Sequence, residues 1–108
     1  MNPSIKEISV QELKQWIDSN KDFQLVDVRE VEEVQAANLG GLHIPIGQVM
    51  MRQSEIETDK PVAFLCRSGR RSELAVLQLQ QFGFSDLYNI TGGIMAYSQL
   101  VDKTLKPI

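Results

Sequence analysis

The sequence is poor in the residues that build cross-links and metal cages. Its 108 residues include one cysteine, Cys66, and one histidine, His43. A single cysteine cannot close an internal disulfide, and a site of several Cys and His ligands is excluded, so any chemistry is expected to run without a metal or other cofactor. No stretch combines a basic start with a long apolar run, so neither a membrane span nor a secretory leader is expected, and the reducing cytoplasm is the natural compartment. A basic excess is also missing: 11 Lys and Arg against 14 Asp and Glu leave a formal charge of −3. Domains that bind polyphosphate chains usually carry a positive excess, which argues against nucleic acid as the main partner. There is no internal repeat, low-complexity tract or linker. This length suits one domain over residues 1–108 with a single core, and the segment from Asp102 to Ile108 reads as a weakly constrained tail.

What is present is an alternation of short apolar runs with helical patterns. A short strand at Lys6 to Ile8 precedes Ser9 and Glu12, which have capping-box spacing, and Val10, Leu13 and Ile17 then mark one helix face ending near Asn20. Gln24 to Val28 reads as an interior strand, followed by helical composition from Glu30 to Ala37 that stops before Gly40-Gly41. Leu42 to Ile44 is a further short strand limited by Pro45, and Gln48 to Gln53 a short helix. Val62 to Leu65 is a buried strand, after which Ala75, Val76, Leu79 and Phe82 share one side of a helix ending at Gly83. Leu87 to Ile90 is the last strand, Gly92-Gly93 a turn, and Ile94 to Val101 the last helix. Strands alternating with helices predict a three-layer α/β domain with a mainly parallel sheet of about five strands, whose ligands gather at the carboxyl ends of the strands. Cys66 and Asp27 both fall there.

Cys66 stands where the apolar run Pro61 to Leu65 breaks into Arg67-Ser68-Gly69-Arg70-Arg71-Ser72, directly before a helix. A thiolate is expected to be favoured at such a place, because backbone N–H groups, a helix N-terminus and nearby arginines all stabilise a sulfur anion. Gly69 lets the loop take a positive φ, so that N–H groups point inward. Arg67 and Arg70 are candidates for binding the anionic end of a substrate. Ser72 either belongs to that loop or caps the helix that follows. Asp27 and Arg29 are expected to tie down the end of their strand through local hydrogen bonds and so support the loop. His43, before Ile44-Pro45, reads as a structural turn residue. Trp16, Phe64, Phe82 and Tyr97 read as packing residues.

The segment Cys66-Arg67-Ser68-Gly69-Arg70-Arg71-Ser72 resembles the active-site loop of single-domain rhodaneses, sulfurtransferases that carry sulfane sulfur as a cysteine persulfide. Asp27-Val28-Arg29-Glu30 and Asn89-Ile90-Thr91-Gly92-Gly93-Ile94-Met95-Ala96-Tyr97 resemble two further signatures of that family, with Gly41-Leu42-His43-Ile44-Pro45 between them. The resemblance implies Cys66 as the nucleophile and a loop from Arg67 to Ser72 that binds substrate. It also implies loop support from Asp27, Arg29 and Glu30, with Arg71 turning back to Asp27 or Glu30. It further implies a small sulfur-containing anion or persulfide as donor, and a thiol, cyanide or sulfur-carrier protein as acceptor. The stretches 37–47 and 101–107 are similar to rhodanese domains fused behind ubiquitin-activating-like adenylyltransferases, so an adenylyltransferase acting in trans is an implied partner.

Two rivals compete with that reading. Cysteine phosphatases of related fold place an arginine one position beyond Arg71, where this chain has Ser72, so a phosphate clamp would be misplaced. A silent binding module has no physical need for an electropositive thiol, and Cys66 with its basic loop argues against one.

Overall fold

The computed structural model describes residues 5–108. Its centre is β4 (Val62–Leu65), whose four residues are all buried. Side chains on a strand alternate between faces. Val62, Phe64 and then Cys66 therefore enter one apolar cluster with Val26, Val28, Ile44, Ala75, Val76 and Leu79. Ala63 and Leu65 enter a second cluster with Ile8, Val10, Leu13, Ile90, Ile94 and Tyr97. Two cores on opposite faces of one sheet give three layers, and they explain why β4 reads as a continuous apolar run.

The other strands are β1 (Lys6–Ile8), β2 (Gln24–Asp27), β3 (Leu42–His43) and β5 (Leu87–Ile90). All pairings are parallel, in the order β1-β5-β4-β2-β3. The helices are α1 (Val10–Asp18), α2 (Val31–Ala36), α3 (Arg70–Gln80) and α4 (Gly93–Leu100). From β2 the chain crosses outward to β3, and from β4 it crosses the opposite way to β5. The carboxyl ends of β2 and β4 thus flank a topological switch point, where open parallel sheets bind ligands.

The capping box expected at Ser9 and Glu12 forms in both directions: Glu12 N–H donates to Ser9 Oγ at 3.0 Å and Ser9 N–H to Glu12 Oε1 at 2.9 Å. Ile17, expected on the buried face, is exposed, and Trp16 is half-buried in its place against Phe23 and Tyr88, with ring centroids 5.2 and 5.3 Å apart. The expected helix over 48–53 does not form. Single turns of 3-10 helix at Ile46–Gln48 and Gln53–Glu55 overlap only its two end residues. Val49 is buried in the first core, and that anchoring replaces a helical repeat. Phe82 is 63 % exposed, because α3 ends at Gln80 and a residue beyond the helix no longer follows its buried stripe. In the terminal segment, Leu105 packs against the second core and the Ile108 carbonyl accepts from Arg67 Nε at 2.9 Å.

Candidate active site

The chain leaves β4 at Leu65, turns through Cys66 to Gly69, and starts α3 at Arg70. Gly69 is the N-cap, with φ +101°, a conformation that side-chain-bearing residues rarely adopt. That conformation aims its N–H at Cys66 Sγ, 3.0 Å away. Ser72 Oγ lies 3.2 Å from the same sulfur. The sulfur therefore sits at the amino end of an eleven-residue helix, in the positive end of its dipole. Among the described residues one amide and one hydroxyl reach the sulfur, where the sequence suggested several converging amides. Cys66 is 1 % exposed, so the loop screens the thiol from bulk water.

Arg67, Ser68 and Arg70 are exposed on the loop that holds the sulfur, while Gly69 and Ser72 are buried. Arg70 has no hydrogen bond or ion pair among the described residues, so its charge is available to an incoming anion. Ser72 is not the helix cap, since Gly69 holds that place; its hydroxyl turns inward between Cys66 Sγ and Asn89 Oδ1, the latter at 2.5 Å.

Arg71 pairs with neither Asp27 nor Glu30. Its Nη1 and Nη2 donate to the two carboxylate oxygens of Glu33, both at 2.7 Å. Glu33 was not singled out from the sequence. The signal available was its place three residues after Glu30, the N-cap of α2, because Glu33 Oε2 also accepts from Glu30 N–H at 2.9 Å. Glu30 itself is exposed, and it meets Glu33 through its backbone N–H while its charge adds to the field at Arg71. Asp27 instead holds Arg29, a pair about 1 % exposed: Arg29 Nη2 donates to Asp27 Oδ2 at 2.7 Å and Nε to Oδ1 at 3.0 Å. The remaining donors of Arg29 reach Glu33 O at 3.1 Å and Ala37 O at 2.7 Å. Asp27 and Arg29 thus tie β2 to α2, and α2 in turn presents Glu33 to Arg71. His43 Nε2 donates to Arg29 O at 2.6 Å, a structural contact of the kind expected.

The Arg71 fork pulls the Glu33 carboxyl down from 4.5 to about 2, helped by the Glu30 N–H and opposed by burial. A carboxyl whose folded value lies below its unfolded value contributes stability that is complete above the unfolded value and fades as pH falls from about 4.5 toward 2. Glu33→Gln is therefore expected to flatten the acid limb of stability against pH in that window, read as urea midpoints. An acid limb as steep as that of the native chain would show that the pair adds nothing.

Comparisons with known proteins bear on the family of the chain. Residues 9–100 match the family profile described as Rhodanese-like domain. The putative sulfur carrier protein YrkF of Bacillus subtilis is 39 % identical over 92 residues, which are 84 % of this chain but only 50 % of that protein. The putative sulfurtransferase YtwF of Bacillus subtilis is 38 % identical over 94 residues, covering 86 % of this chain and 90 % of the relative. The probable adenylyltransferase/sulfurtransferase MoeZ of Mycobacterium tuberculosis is 29 % identical over 96 residues, 85 % of this chain and 24 % of MoeZ. Among solved structures, a rhodanese-like domain protein from Staphylococcus aureus superimposes with a TM-score of 0.82 at 28 % identity, over 96 % of this chain and 99 % of that one. With a cysteine closing β4 before a glycine-capped helix on a parallel five-stranded sheet, and a family profile matched from Ser9 to Leu100, the chain is a member of the rhodanese-like domain family.

Proposed function

We propose that this domain is a sulfurtransferase that carries sulfane sulfur as a persulfide on Cys66. Relatives named sulfurtransferase and sulfur carrier support rhodanese-type sulfur transfer in general. The observation that carries the reading for this chain is the Gly69 N–H held 3.0 Å from Cys66 Sγ at the start of α3. The thiolate attacks the outer sulfur of thiosulfate; the S–S bond of the donor breaks, sulfite leaves with the electron pair, and Cys66 keeps the transferred sulfur as a persulfide anion. An acceptor thiolate or cyanide then attacks that outer sulfur, and the Cys66 thiolate is released with the bonding pair. Gly69 N–H and the helix amino end stabilise the negative sulfur in both states. Arg67 and Arg70 draw in the anionic end of the donor, Ser68 is exposed on the same loop, and Arg71 with Glu33 holds that loop in place. No metal or other cofactor takes part in these steps.

A phosphatase reading is disfavoured by one contact. The Nη1–Nη2 face of Arg71 is spent on Glu33, so that pair of donors is not free to clamp phosphate oxygens. The relatives YrkF and MoeZ suggest a sulfur relay, and the acceptor we propose is a sulfur-carrier protein served by an adenylyltransferase in trans. A persulfide-forming thiol works in a reducing compartment, so the cytoplasm is the proposed site of action.

Intact mass after incubation with thiosulfate or with a persulfide donor tests the reading. The native chain is expected to gain one sulfur, about 32 Da, and Cys66→Ser none, because serine supplies no thiolate. No mass gain with either donor would leave a silent binding module as the better account. Hydrolysis of an aryl phosphate faster than sulfur transfer would reinstate the phosphatase.

A further inference from the structure

We infer that Asn89 is a positioning residue for Cys66, acting on the sulfur through Gly69. The inference deepens the sulfur-transfer reading and rests on Cys66 being the reacting atom. Asn89 is 3 % exposed on β5 and pairs in register with Phe64, two residues before Cys66. Strand alternation therefore puts its side chain on the face of the sheet that carries the sulfur. Gly69 O can only accept, so the Asn89 nitrogen must face it, and Nδ2 donates there at 3.1 Å. That assignment leaves Oδ1 toward Ser72 Oγ at 2.5 Å.

One buried amide thus grips the loop at two points, the residue whose N–H reaches the sulfur and the hydroxyl beside it. The grip on Gly69 matters because the other bond to its carbonyl, from Glu73 N–H, is long at 3.3 Å. A Cβ built on Gly69 would stand 3.3 Å from Gly92 N and 3.8 Å from Asn89 Nδ2, so Gly69 is packed directly on the end of β5. Without the amide, Gly69 loses the contact that fixes it from the side away from the sulfur, and its N–H is freed to swing off Sγ. Ser72 complicates any single substitution, since its one proton is shared between Asn89 Oδ1 and the sulfur, and release of Asn89 turns that proton toward sulfur. The two effects on the thiolate have opposite sign. They separate in the Ser72→Ala background.

The test is the rate of Cys66 alkylation by iodoacetamide, which needs no sulfur-transfer chemistry, with sulfur loading from thiosulfate measured alongside and folding checked by thermal melting. In the Ser72→Ala background, Asn89→Leu is expected to slow alkylation about tenfold, as loss of alignment in one charge-assisted hydrogen bond implies. Equal rates for Ser72→Ala and the double variant would overturn the inference. Asn89→Asp gives a second readout that also serves if the leucine variant fails to fold. Its carboxyl, kept neutral by burial at low pH, donates to Gly69 O as the amide does, and once ionised it repels both that carbonyl and the sulfur. Its alkylation rate relative to the native chain is expected to fall severalfold between about pH 5 and pH 8. A ratio constant with pH would also overturn the inference. If the native chain loads no sulfur, the sulfur-transfer reading falls, and the alkylation contrast still decides the role of Asn89.

Discussion

Arg29→Met is expected to cost about 3–5 kcal/mol of stability, the loss seen when one partner of a buried ion pair is removed. The guanidinium is as buried as any core leucine and spends its donors on Asp27, Glu33 O and Ala37 O. Methionine fills similar space but leaves the Asp27 carboxylate buried, with the backbone N–H of residue 29 at 3.1 Å as its remaining hydrogen bond. It also strips Ala37 O of its partner. For a domain whose whole stability is about 5–15 kcal/mol, this is roughly a fifth at the least. With a slope of about 1–3 kcal/mol per molar urea, the midpoint should drop by about 2 M. Adding Asp27→Leu is expected to recover part of the loss, because the orphaned charge is then gone. A midpoint within about 0.3 M of the native value would mean that water or rearrangement solvates Asp27, a far weaker role for the pair. The damage should also reach the loop, since Arg29 holds the backbone of Glu33, and Glu33 holds Arg71.

Gly93→Ala is expected to cost about 2–4 kcal/mol and to slow alkylation of Cys66. A Cβ there would lie 2.4 Å from both Cys66 O and Arg67 O, backbone atoms that cannot rotate away. Those carbonyls accept from Ile94 N–H at 2.9 Å and Met95 N–H at 3.1 Å, so the first turn of α4 is stitched to the cysteine loop. Relief of the clash requires α4 and the loop to part, and the residue that moves is Cys66 itself. Gly83→Ala is the control. Its φ of +90° is less favourable for alanine than the +60° of Gly93, but nothing lies within 4 Å of the new Cβ. Only backbone strain of about 1–2 kcal/mol is expected there, with alkylation unchanged. Equal losses at the two glycines would show that strain alone acts and that the close approach of α4 can be relaxed.

The sequence by itself determined the layer architecture, the order of the five strands and four α-helices, the capping box at Ser9 and the place of Cys66 between β4 and α3, though not the irregular stretch over 48–53. These follow from period-two and period-3.6 patterns and from side chains that bond within three or four residues, all of which act locally. It misjudged Ile17 and Phe82, where burial depends on what the element meets and on where the helix stops. Only the tertiary structure decided which carboxylate takes Arg71 and which side chain grips the loop. Arg71 and Glu33 lie 38 positions apart, and Ser72 and Asn89 lie 17 apart. Such partners are chosen by which strands are neighbours in the sheet and which helix faces the cleft. Several acidic residues near the end of β2 carry the right charge, and only packing selects the one at bonding distance.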